Sequence, residues 1–130
     1  MPRILLVDDD EPFRKVVRLI LTDLGHTVVE ARNGREALER FEQETAELVM
    51  TDLIMPEKEG IETLMELRAK HPAVKIVAFS GGGRIDATSC LRMAKAMGAD
   101  RTLAKPFLRG DLMAVLDELL GKTFRADSPG

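Results

Sequence analysis

Ile4-Leu5-Leu6-Val7, cut off by Asp8-Asp9-Asp10-Glu11-Pro12, is continuously apolar rather than alternating. A strand with one wet face alternates, whereas a strand covered on both faces does not. This run therefore reads as a central parallel strand lying between two layers of helices. Four more short apolar runs follow: Thr27 to Ala31, Leu48 to Thr51, Val74 to Phe79 and Thr102 to Ala104. The five runs start 23, 21, 26 and 28 residues apart, which leaves room for a helix and two loops between strands but not for a hairpin.

The segments between the runs carry helical periodicity. Phe13, Val16, Val17, Ile20, Leu21 and Leu24 form an apolar stripe that Gly25 ends. Asn33 can cap a second helix with Ala37, Leu38 and Phe41 inward, and Ile61, Leu64, Met65 and Leu67 mark a third. A fourth helix, roughly Arg84 to Met97, would turn Ala87, Cys90, Leu91, Ala94 and Met97 inward. The last, from about Leu108 to Leu120, buries Leu112, Val115, Leu116 and Leu119, with Gly121 past its end. Alternating strands and helices predict an α/β fold, an open doubly wound parallel sheet, because right-handed crossovers place helices on both faces.

The chain has 130 residues, 45% of them hydrophobic, so it matches one domain with one core, expected over 1–120, with 121–130 a tail or the start of a linker. Its 19 Lys and Arg against 22 Asp and Glu give a net charge of −3, which argues against direct nucleic-acid binding. Cys90 stands alone, so no intrachain disulfide forms, and a free buried thiol in a reducing compartment is expected. Met1-Pro2-Arg3 leads into neither a signal peptide nor a membrane span, which points to the cytoplasm.

In a parallel sheet all strands end at one edge, where open α/β sheets bind ligands. Strand one is followed there by Asp8 to Glu11, strand three by Asp52, strand four by Ser80-Gly81-Gly82-Gly83 and strand five by Lys105-Pro106-Phe107. Strand two offers only Arg32 and Asn33. If strands one, three, four and five are neighbours, Asp8, Asp9 and Asp52 crowd together and resist ionisation unless a cation sits among them. Mg²⁺ suits such a site, being a hard ion content with a few carboxylates and phosphate oxygens. Lys105 and the Ser80 hydroxyl could serve the same oxygens, with a carboxylate as nucleophile.

Taken together, Leu6-Val7-Asp8-Asp9-Asp10-Glu11-Pro12, Asp52-Leu53-Ile54-Met55-Pro56 with Gly60, Ser80, and Lys105-Pro106-Phe107 resemble the receiver domains of response regulators. The resemblance extends from Ile4 to about Leu120. It implies a flavodoxin-like (βα)5 sheet of order 2-1-3-4-5 and a two-component signalling switch. In that switch Asp52 accepts a phosphoryl group from a histidine kinase or a histidine phosphotransfer protein. It makes Asp9 a direct Mg²⁺ ligand, Asp8 a ligand through water and the Ile54 carbonyl a further ligand. Ser80 becomes the switch hydroxyl, Lys105 the phosphoryl-binding lysine, and Lys105-Pro106 a cis peptide. Output would pass through the face of helix four, strand five and helix five to a partner, an output domain or a second copy of the chain. Family members usually carry an aromatic relay on strand five, and Thr102 stands in its place. Ile54 and Gly82, at positions that tune phosphoryl lifetime, carry no polar side chain, so slow self-dephosphorylation is expected.

Each feature has a plainer reading. Asp10 and Glu11 ahead of Pro12 fit a helix cap and first turn. Gly81-Gly82-Gly83 lacks the Lys-Ser/Thr ending of a phosphate-binding loop. His26 and His71 sit at turn positions and read as surface residues. Arg92, Lys95 and Arg101 give the output face a basic cast. A haloacid-dehalogenase-type phosphatase also uses an aspartyl nucleophile, but it wants a second Asp where Ile54 stands. A pseudo-receiver that only binds partners would lack an acid or the lysine, and none is missing.

Overall fold

A computed structural model describes residues 2–52, 59–81, 92, 95–96, 98–105 and 107–121. Its strands are β1 (Arg3–Val7), β2 (Thr27–Ala31), β3 (Leu48–Asp52), β4 (Lys75–Gly81) and β5 (Arg101–Lys105). All pairings are parallel, in the order β2-β1-β3-β4-β5. Helices α1 (Glu11–Asp23), α2 (Gly34–Gln43), α3 (Glu59–Lys70) and a C-terminal helix (Arg109–Leu120) connect or follow them. Residues 92, 95 and 96 are helical, within the fourth segment expected. Cys90 and the rest of that segment's inward stripe lie outside the described residues.

The continuous apolar strands supply two cores. Leu5, Val7, Val49, Ile76 and Ala78 face one way, onto Ala37 and Phe41 of α2 and Leu64 and Leu67 of α3. Ile4, Leu6, Leu48, Met50, Val77 and Phe79 face the other, onto Val17 and Leu21 of α1 and Leu112, Val115 and Leu116 of the C-terminal helix. Burial of each such side chain contributes about 1.5–3 kcal/mol, so both faces of β1 and β3 must stay covered. That requirement sets the doubly wound layering.

The helix ends follow local chemistry. The Asp10 carboxylate accepts the Phe13 N–H at 3.1 Å, and the Asn33 side chain accepts the Glu36 N–H at 2.8 Å. Gly25, at φ 96°, closes α1 and turns the chain back toward β2. His26, expected at the surface, is 5% exposed because this turn folds it back under the helix, where its N–H donates to the Leu21 carbonyl. His71 is half-buried, its ring 4.3 Å from that of Phe41.

Two other expectations change. Val16 and Met65 are 56% and 50% exposed, because the faces of α1 and α3 that meet the sheet are narrower than the stripes read from periodicity. β4 also runs two residues beyond Phe79, and β5 reaches Lys105, so Ser80 lies within β4, one residue before its end, and Lys105 ends β5 rather than following it.

The β4–β5 register rests on Arg68 of α3. Its guanidinium donates to the Gly98 and Val74 carbonyls and pairs with Asp100 at 2.7 Å, and the same Asp100 oxygen accepts the Ile76 N–H at 2.8 Å. This clamp fits the β4–β5 register that sets Gly81 opposite Lys105. Among the described residues, no helix is long and apolar enough to cross a membrane.

Candidate functional site

The carboxyl ends of β1, β3 and β5 meet at one point. Lys105, the last residue of β5, places Nζ 2.9 Å from Asp8 Oδ2 and 2.9 Å from Asp52 Oδ2. One carboxylate oxygen from each of Asp8, Asp9 and Asp52 lies within 4.8 Å of the others. Asp8 is fully buried and Asp52 nearly so, whereas Asp9 is exposed. Three oxygen donors at one sheet edge, one of them open to solvent, fit a hard divalent cation.

The electrostatics follow from that crowding. Burial pushes the Asp8 carboxyl above its ordinary value; the hydrogen bonds from Lys105 and from the Asp10 N–H oppose this, and the Asp52 charge adds to it. For Lys105 burial acts against the charged form, but hydrogen bonds and attraction to Asp8 and Asp52 outweigh it and raise its pKa. The lysine is therefore charged throughout the neutral range, and it partly offsets two buried acids.

Asp8 is held from behind by residues that sequence reading missed. Its N–H donates to the Ala31 carbonyl at 3.1 Å, and its Oδ1 accepts the Asp10 N–H at 2.9 Å. The buried Arg14 of α1 donates from Nη1 to the Asp8 carbonyl at 2.7 Å and from Nε to Glu30 at 2.8 Å. Glu30 lies on β2, and its second oxygen pairs with Arg18 at 2.9 Å. Strand two thus supports the site indirectly. The available signal was a charged residue within the apolar stripe of α1, with a glutamate on the neighbouring strand. Changing Arg14 to leucine leaves the buried Asp8 carbonyl without this donor and Glu30 with Arg18 as its ion-pair partner, and should cost about 2 kcal/mol of stability in chemical denaturation.

Phe13 was read as core alone, yet its ring lies beneath Lys105. Ser80 occupies the β4 edge, its backbone in register with Ala104. Thr102 is half-buried on β5 opposite Ala78, three residues before Lys105. Arg101 pairs with Glu118 of the C-terminal helix, which removes it from the free basic charges expected on that face. Ile54, Gly82 and Pro106, and with Pro106 the expected cis peptide, lie outside the described residues.

Residues 4–117 match the family model described as response regulator receiver domain. The chain belongs to the receiver domains of response regulators. This receiver is 34% identical over 123 residues to the transcriptional regulatory protein CpxR of Klebsiella pneumoniae, a match that covers 95% of this chain and 51% of CpxR. It thus spans about half the length of that relative. It is 33% identical to the chemotaxis protein CheY of Halobacterium salinarum, covering 91% of this chain and 96% of CheY. Among solved structures, the receiver domain of NtrX from Brucella abortus superposes with a TM-score of 0.83 at 30% identity, covering 90% of this chain and 97% of that one. Receiver domains of this kind serve two-component phospho-signalling.

Proposed function

We propose that this receiver takes a phosphoryl group onto Asp52 from a phosphohistidine donor, with Mg²⁺ held by Asp8, Asp9 and Asp52 and by the Ile54 carbonyl. The observation that carries this reading is the Lys105 bridge between Asp8 and Asp52, a charged donor already in contact with the proposed nucleophile. A carboxylate oxygen of Asp52 attacks phosphorus, the new P–O bond forms, and the P–N bond to the donor imidazole breaks. Lys105 keeps its proton and donates hydrogen bonds to the phosphoryl oxygens, and Ser80 serves as the switch hydroxyl at the β4 edge. Mg²⁺ bound among the acids would neutralise charge on the transferring group.

The chain catalyses its own phosphorylation and acts on no separate substrate. The added charge of about −1.5 to −2 at the sheet edge draws Ser80 and Lys105 toward it, and so biases the adjoining loops and helices. A histidine kinase or histidine phosphotransfer protein supplies the phosphoryl group, and an output protein or domain reads the change. The receiver unit ends near residue 120.

Incubation with Mg²⁺ and a small-molecule phosphodonor such as phosphoramidate tests this directly. One phosphoryl adduct is expected, mapped by mass spectrometry to Asp52. No adduct, or an adduct on another residue, would overturn the assignment.

A further inference from the structure

Lys105 makes a third contact besides its two carboxylates: Nζ lies 4.0 Å from the centroid of the Phe13 ring and 5.9 Å from that of Phe79. A lysine ammonium within about 6 Å of an aromatic face is attracted by the ring's negative face, more strongly where water is excluded. The ring itself has little freedom. It meets Phe79 edge-on at 5.6 Å and Phe107 edge-on at 5.8 Å, and those two rings stack at 5.4 Å. Its backbone N–H is held by the Asp10 cap, and the next residue, Arg14, is anchored on the Asp8 carbonyl.

We infer that Phe13 is a positioning residue for phosphoryl transfer, its ring holding the Lys105 ammonium where it meets both Asp52 and the incoming phosphoryl oxygens. The lysine stem is flexible, and two carboxylates alone would let Nζ follow whichever acid moves. A rigid aromatic face restricts it from a third side. Lys105 Nζ is 2.9 Å from Asp52 Oδ2, so the oxygens of a phosphoryl group carried on that carboxylate would meet an ammonium already seated on the ring. The attraction, which acts out to about 6 Å, therefore persists through the transfer and is not confined to the resting state. The assignment rests on Lys105 serving phosphorylation at Asp52, as proposed above.

The competing reading is that Phe13 only fills the core, and ring electronics separate the two. Site-specific replacement of Phe13 by phenylalanines of increasing fluorination keeps ring size while weakening the negative face. A positioning role predicts that the rate of phosphorylation by phosphoramidate falls stepwise along the series, by roughly 3- to 10-fold overall. It also predicts that Phe13→Leu matches the end of the series and that Phe13→Tyr retains the parental rate. An independent arm needs no phosphorylation. In the intact chain the ring current of Phe13 should shift the Lys105 ε-CH₂ protons upfield in the NMR spectrum, and Phe13→Leu should abolish that shift.

A flat rate across the fluorinated series overturns the inference, even if the upfield shift is present, since the contact would then not serve transfer. Absence of the upfield shift overturns it as well. Failure of Asp52 to accept phosphate would show as no adduct in any variant, including the parent, and so is distinguishable from failure of the Phe13 assignment.

Discussion

Changing Asp52 to asparagine is expected to reduce phosphoryl incorporation by at least about a thousandfold, equivalent to more than about 4 kcal/mol of barrier. Asparagine keeps the shape of the side chain, and its carbonyl oxygen can still accept from Lys105. Only the nucleophilic charge is lost. Because the residue is buried at the end of β3, in a strand with every residue buried, a larger substitution would confuse loss of chemistry with loss of fold. The assay is mass spectrometry after incubation with Mg²⁺ and phosphoramidate, with far-UV circular dichroism to confirm that the variant is folded. Incorporation at a rate near that of the parent, on Asp8 or Asp9, would refute the role of Asp52.

Changing Lys105 to methionine should destabilise the metal-free protein by about 3 kcal/mol at neutral pH, because it leaves Asp8 and Asp52 buried without the cation that touches both. The sign of the pH dependence can be worked out. The Asp8 carboxyl already lies above its ordinary value of 3.8 through burial, and Lys105 is one of the groups holding it down. Without the lysine it rises further. A carboxyl whose folded pKa is raised contributes most below its unfolded pKa, and its contribution is lost as pH rises through the folded value. The gap between variant and parent should therefore be widest at neutral pH and close as pH falls toward the carboxylate range.

Two further results follow from the same account. Adding Asp8→Asn to the lysine variant should recover much of the loss, and Mg²⁺ should stabilise the single variant more than the parent, because it replaces the missing positive charge. Urea denaturation followed by circular dichroism measures all of these, and suits a chain with no Trp or Tyr. A lysine variant as stable as the parent in chelator at pH 7, with no pH dependence in the difference, would show that the bridge contributes nothing.

The strands and their spacing were legible because an apolar run with no polar interruption states its own burial. Ile4 to Val7 and Leu48 to Met50 are buried on both faces, as their composition required. Asp8, Asp9, Asp52 and Lys105 were legible because each stands at the carboxyl end of such a run, and the resemblance to receivers gave them an order. Val16 and Met65 were misread because periodicity gives the direction of an apolar stripe and not its width. His26 was misread because a residue after a glycine turn can be folded inward as easily as outward. Arg14 and Glu30 were not read at all, since a charged residue in a helix looks solvated until its partner strand is known.

By itself the sequence determined the five strands, their parallel sense and which polar residues gather near the strand ends, because hydrophobic period and turn chemistry act over a few residues. The tertiary structure alone decided which of those ends touch. Lys105 meets Asp8 across 97 residues of chain and Asp52 across 53, and those contacts exist only because the parallel sheet brings the carboxyl ends of β1, β3 and β5 to one edge. The ring under the lysine and the arginine behind Asp8 belong to the same class. Both depend on the rotation of α1 about its axis as it packs, which is set by the whole core.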